Sequence, residues 1–307
     1  MKVYWDKELN EATLMLPEDF NFTHNLDYLS SAKGECLYVI KDGRIYKGLQ
    51  LGQEAAVVEI SYDDKHCFRL RFLGQPDTTP RYQAIRDYAV RYVIDWFDLH
   101  TDLTPFYELA LADEILHIPV RRFHGLRNIG IPDLFEAICW GIIGQQINLT
   151  FAYTLKRRFV ERFGTFVEIE HERFWSFPSS QKVASLSVQD LIPLQFSARK
   201  AEYLIGVAKH MESGTLSREV LQNSAYEDAE KQLTSIRGIG SWTANYVLMR
   251  CLRFPMAIPI ADVGLHNALK FAMNVESKPS IEQIKEIFSK WNGWESYATF
   301  YLWRLLY

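Results

Sequence analysis

Cysteine is scarce in this chain and widely scattered. Cys36, Cys67, Cys139 and Cys251 form no Cys-x-x-Cys pair. That spacing offers no zinc site and no cysteine-ligated iron–sulfur cluster, and it supplies no disulfide framework. Long apolar runs are missing as well. No stretch reaches the roughly 18 residues that a membrane helix needs, and the opening MKVYWDKELN lacks a signal-peptide core. The chain therefore reads as a soluble, cytoplasmic protein with no membrane association. Basic charge is not in excess either: 34 Lys and Arg face 38 Asp and Glu, for a net −4 and a pI near 6.1. Such a balance argues mildly against nucleic acid as a partner. It hides one local exception. Between Lys231 and Lys270, five cations (with Arg237, Arg250 and Arg253) stand against one acid, Asp262, so a basic face is expected inside an acidic protein.

The 307 residues suggest two domains. Hydrophobic residues at 48% and charged residues at 23% are ordinary for a globular chain. Aromatics are abundant, with 19 Phe, 16 Tyr and 8 Trp, and most must be core. No repeat, low-complexity tract or long linker is visible.

The first third reads as β-rich. Ala12–Leu16 is a short apolar run that stops at Pro17, a short helix is expected around His24–Ser31, and strands are expected at Cys36–Ile40, Arg44–Leu51, Ala55–Tyr62 and Cys67–Phe72. Asp42-Gly43 is a hairpin signal, and Asp63-Asp64-Lys65 a second turn. Alternation in Phe68-Arg69-Leu70-Arg71-Phe72 fits an antiparallel sheet with one wet face. After Pro80 the spacing turns helical, with apolar Tyr88, Tyr92, Val93, Trp96 and Phe97 on one face, and it stays helical to Tyr307. Asp133 with Glu136, and Ser280 with Gln283, read as capping boxes. The expected fold is an α+β antiparallel-sheet domain over 1–112, followed by an all-helical domain over 113–307.

The informative stretch is LTSIRGIGSWTA, Leu233–Ala244. Two helical segments flank Arg237-Gly238-Ile239-Gly240. The glycines permit a tight turn, and Ile236 and Ile239 can pin it. The helix beginning near Ser241 has first-turn N–H groups without internal partners. Those groups and the positive helix end suit a phosphate, recognised without regard to base sequence. Gly-x-Gly alone would equally be an ordinary glycine-closed connection. Asp262 follows Trp242 by 20 residues. It precedes an apparent helix at Val263, where an N-cap is the bland role. Trp242 and Tyr246 lie four apart and share a helix face. His266, one turn after Asp262, reads as a packing histidine.

With its flanks, this segment resembles the helix–hairpin–helix DNA glycosylase superfamily, and within it the alkylated-base, inducible 3-methyladenine branch. GIGSWTANYVLMR, Gly238–Arg250, carries the resemblance. So do Gly125-Leu126-Arg127, FEAICWGIIGQQ over Phe135–Gln146, Arg199–Glu202, Gly214–Leu216 and Trp294–Ala298. The match spans roughly residues 120–305. It implies a monofunctional glycosylase that flips an alkylated purine from double-stranded damaged DNA and hydrolyses its N-glycosidic bond, acting as a monomer.

The resemblance makes Asp262 the catalytic carboxylate and places Trp242, Tyr246 and Trp303 around the base. Rings there would attract a cationic alkylated purine by roughly 0.5–2 kcal/mol. Arg237, Gly238, Ile239, Gly240 and Thr243 would bind DNA, and Gln146 or Ile147 would fill the hole left by the flipped base. It implies no cofactor and no metal ligand set, although a monovalent cation on hairpin carbonyls fits the family. The superfamily's lyases carry lysine where this chain has Trp242, and a tryptophan offers no nucleophile. Two other readings remain open: a glycosylase for oxidised or mismatched bases, and a non-catalytic DNA-binding module. Ala261 and Val263 depart from the branch, which has an acid and an aromatic there, so the pocket is expected to be more open beside Asp262.

Overall fold

The computed structural model describes residues 2–6, 8–63, 65–74 and 79–306. Asp64, expected in a turn, and Tyr307, expected to end the helical region, lie outside the described residues. The N-terminal part is an antiparallel sheet in the order β1-β2-β6-β5-β4-β3. Its strands are β1 (Val3–Asp6), β2 (Glu11–Met15), β3 (Tyr38–Lys41), β4 (Arg44–Leu51), β5 (Glu54–Asp63) and β6 (Cys67–Leu73). Asp42 and Gly43 both have positive φ, 49° and 71°, and Lys41 pairs with Arg44. This is the two-residue turn whose twist matches the strands it joins. In β6, Phe68, Leu70 and Phe72 are buried while Arg69 and Arg71 face water, as the alternation requires.

Two strands differ from expectation. β1 was not foreseen: it is four residues long and sits at the sheet edge. β3 starts at Tyr38 rather than Cys36, because the Glu35 carboxylate accepts the N–H groups of Cys36 and Leu37 at 2.8 and 3.0 Å. Those two amides are thereby used before the ladder begins.

The helix Pro80–Trp96 covers the sheet, with Thr79 as its N-cap and proline at its first position. Helices then dominate through Glu295–Arg304. One core runs across residue 112: Phe106, on helix Thr104–Ala112, packs on Tyr297 and Tyr301 with ring centroids 5.5 and 5.3 Å apart. The helical region also holds one hairpin, β7 (Thr165–Ile169) and β8 (Glu172–Ser176). It lies against β4, and a Cβ on Gly48 would come within 2.5 Å of the Phe174 carbonyl. Its turn residues, Glu170 and His171, both adopt positive φ without the usual glycine or asparagine, so the turn is invisible by composition.

Of the two capping boxes, Ser280 and Gln283 form both halves. At Asp133 only one half forms. Its carboxylate accepts the Glu136 N–H at 2.7 Å, but the Glu136 side chain is drawn to Lys156 instead, 3.0 Å away. Among the described residues no helix is long and apolar enough to cross a membrane.

Candidate active site

The helices Tyr226–Thr234 and Ser241–Arg250 form the expected hairpin. Ile236 and Ile239 are buried beneath it. Gly238 has φ +98°, and a Cβ there would lie 2.3 Å from the Tyr203 ring, so both conformation and space demand glycine. Gly240 is different. Its backbone is extended, and an added Cβ would meet nothing within 4 Å. Glycine at 240 is not needed to make the turn. Gly240 is the N-cap, and no side chain caps the helix, which leaves its first N–H groups facing outward for an anion.

Two of the expected DNA-binding residues have buried side chains. Thr243 is only 1% exposed, and its hydroxyl receives the Gln145 amide at 3.1 Å. Ile239 is 4% exposed and pins the core. Both side chains turn into the protein, and the Ile239 N–H is bonded to the Ile236 carbonyl, so of the two the Thr243 N–H, in the first turn of its helix, fits the expected phosphate contact. Arg237 is on the surface, paired with Glu202 at 3.1 Å. The expected basic face also shrinks. The Arg250 guanidinium is buried and donates to the Ile129 carbonyl at 2.7 Å, and Arg253 caps the carbonyls of Asn128 and Asp95.

Asp262 is the N-cap of helix Val263–Ala272 and accepts the Leu265 N–H at 2.7 Å. Its two oxygens also receive two indole N–H groups, Trp303 Nε1 on Oδ1 at 2.8 Å and Trp242 Nε1 on Oδ2 at 3.0 Å. The capping role and the positioned carboxylate are one geometry. Trp242 stacks on Tyr246, centroids 5.4 Å apart and planes at 19°, and Trp303 lies 6.4 Å from Tyr246. All four expected site residues line one cavity of about 400 Å³. His266 Nε2 donates to the Ile260 carbonyl at 2.8 Å, a bond that ties it to the protein.

The loop after helix Leu134–Ile143 approaches the hairpin. Gln145 reaches the Gly238 carbonyl at 2.9 Å, and Lys200 holds the Ile143 carbonyl at 2.7 Å. Gln146, at the loop apex, is exposed with φ +56°. Ile147 is half-buried and lines the cavity.

Comparison with known proteins agrees with this geometry. Residues 139–293 match the family model described as HhH-GPD superfamily base excision DNA repair protein, and residues 11–138 match the 8-oxoguanine DNA glycosylase N-terminal domain. The chain belongs to the HhH-GPD superfamily. A DNA-3-methyladenine glycosylase of Bacillus subtilis is 49% identical over 99% of each chain. DNA-3-methyladenine glycosylase 2 of Escherichia coli is 30% identical over 58% of this chain and 60% of its own. A solved 3-methyladenine DNA glycosylase from Archaeoglobus fulgidus superposes with a TM-score of 0.81 at 26% identity, covering 95% of this chain and 97% of its own.

Within this HhH-GPD site, several lining residues had no signal in the sequence. Tyr28, Lys47, Trp140 and Lys156 reach the cavity from the sheet domain or from helices outside the motif. Arg250, placed by sequence on a basic face, instead lies over the Tyr246 ring, 5.4 Å from its centroid. Gly264 also went unremarked: a Cβ there would come within 2.9 Å of Asp262 Oδ1, so its absence leaves room for the indole bonds.

Proposed function

We propose that this HhH-GPD protein is a DNA-3-methyladenine glycosylase that hydrolyses the N-glycosidic bond of a flipped, alkylated purine. The observation that carries the reading is the Asp262 carboxylate, fixed by two indole N–H groups at an aromatic cavity. A cavity of about 400 Å³ is within the usual range for small-molecule sites.

In this reading the first-turn N–H groups after Gly240 grip a phosphate, and Gln146, exposed at its loop apex, enters the duplex. Exposed Leu149 lies three residues further on, ready to support it. The nucleotide rotates out, which costs a few kcal/mol and less for a damaged base. Trp242 and Tyr246 stack on the cationic purine, and Asp262 stabilises the oxocarbenium-like sugar as the bond breaks and water adds. An alkylated cationic base leaves readily, so no strong general acid is required. The hairpin also offers the carbonyls of Ile236 and Gly238, which accept bonds from Ile239 N–H and Gln145. Each carbonyl retains acceptor capacity, so the two could hold a monovalent cation, which would add positive charge to the phosphate grip.

The test is release of methylated purine from treated duplex DNA by the protein and by Asp262→Asn. Release by the first and not by the second supports the reading. Release by neither sinks it.

A further inference from the structure

The cavity below Asp262 has a second, charged end. Glu35, Lys47, Glu136 and Lys156 all line it. Lys156 is 3% exposed and bridges the two carboxylates, Glu35 at 2.9 Å and Glu136 at 3.0 Å. Glu35 further accepts two backbone N–H groups. Lys47, on β4, has no such arrangement. It is 4% exposed, lines the cavity, and makes no hydrogen bond or ion pair to any described residue. Its nearest aromatic neighbour is the Tyr92 ring, 5.4 Å from Nζ. Its Nζ is not among the fully enclosed polar atoms left without a partner, so it opens into the cavity rather than being sealed in the core. Structures retain such a group where something else completes it.

The two ends of the cavity are joined by a line of side chains. Trp242 stacks on Tyr246, Trp140 lines the same cavity, and Lys156 lies 5.4 Å from the Trp140 ring. Asp262 marks the end where the sugar must sit. A base lying against Trp242 and Tyr246 therefore turns its far edge toward the charged end.

We propose that Lys47 is a specificity-determining donor that reads the exocyclic oxygen of a 6-oxopurine at the deep edge of the flipped base, an inference that rests on the glycosylase reading. Guanine-type bases carry an acceptor at that place, and adenine-type bases carry an amino donor. A donor facing a donor leaves both unsatisfied, so such a site discriminates well beyond what a methyl group allows. Burial pulls the Lys47 amine below the ordinary lysine range, although Glu136 and Glu35 oppose this.

The experiment compares single-turnover release of 7-methylguanine and 3-methyladenine from otherwise identical duplexes, for the wild type, Lys47→Met and Lys47→Arg. Each ratio is measured within one protein sample, so a partly folded variant does not distort it. Lys47→Met should lower the 7-methylguanine to 3-methyladenine rate ratio by roughly tenfold or more, the factor for losing one hydrogen bond to a charged donor. Lys47→Arg should recover part of it. Unchanged ratios in Lys47→Met, with both bases still released by the wild type, overturn the Lys47 assignment alone. Equal losses for both bases do the same and leave Lys47 a structural residue. No release of either base by the wild type overturns the glycosylase reading, and the assignment with it.

Discussion

Asp262 receives a backbone N–H and two indole N–H groups on one carboxylate, and that convergence has a cost and a use. It consumes acceptor capacity that substrate could have used, and it fixes the direction of the negative charge before any substrate arrives. Preorganised charge of this kind is worth most where the field must match a developing cation. Gly264 preserves the arrangement by leaving space next to Oδ1. Asp262→Asn keeps the shape but removes the charge and turns one acceptor into a donor facing an indole N–H. Its single-turnover base excision should fall by at least about 100-fold, the scale of one preorganised electrostatic group. Duplex affinity, which the proposed function assigns to the hairpin, should persist in a filter-binding or anisotropy titration. Near-normal excision by the variant would remove Asp262 from the chemistry.

The hairpin between Tyr226–Thr234 and Ser241–Arg250 separates two glycines that look alike in sequence. Gly238 has a left-handed φ and faces the Tyr203 ring, so Gly238→Val should destabilise the fold, which thermal unfolding reads directly. Gly240 has open space, so Gly240→Val should fold normally yet weaken binding to any duplex, because the branched side chain blocks the phosphate's approach. Wild-type affinity of a folded Gly240→Val at several salt concentrations would show that the helix start is not the grip. This difference marks the limit of sequence reasoning. Local signals were legible: the Asp42-Gly43 turn, the Phe68–Phe72 alternation, the Ser280 cap and the motif that brings Asp262 to Trp242. What was not legible depended on partners distant in sequence. Glu136 left its capping box for Lys156, Thr243 turned inward to Gln145, Arg250 and Arg253 were spent on backbone carbonyls, and β7–β8 turned on residues without turn chemistry. The cavity's charged end was hidden for the same reason, since Glu35 and Lys47 are contributed by the N-terminal domain.

At the scale of the molecule, Glu35 from the sheet domain and Glu136 from the helical one meet on Lys156, so one ion cluster joins both parts under the cavity. Burial opposes ionisation of Glu35, yet the Lys156 ammonium and the Leu37 and Cys36 N–H groups hold its carboxyl below the usual range. Its pairing thus contributes stability above an unfolded value near 4.5 and loses it as pH falls below. Lys156→Met strands two buried carboxylates and should cost about 3–5 kcal/mol at neutral pH. Burial then acts on Glu35 without the opposing ammonium and raises its carboxyl pKa, so protonation favours the variant's folded form. The gap to the wild type in urea unfolding should narrow between about pH 7 and pH 5, and a constant gap would refute the electrostatic origin. The same cluster bears on strand cleavage, because it brings two amines into a cavity where Trp242 occupies the place of the lyases' lysine. Lys156 is held by two carboxylates, which keep its ammonium charged against burial, and an ammonium is no nucleophile. Lys47 comes from β4 of the sheet domain and shares no hydrogen-bond partner with Asp262. Base release should therefore leave an intact abasic strand that nicks only in hot alkali, and borohydride present during turnover should trap no protein–DNA adduct. An adduct in good yield would overturn the monofunctional assignment, and its disappearance in Lys47→Met would name that buried amine as the nucleophile.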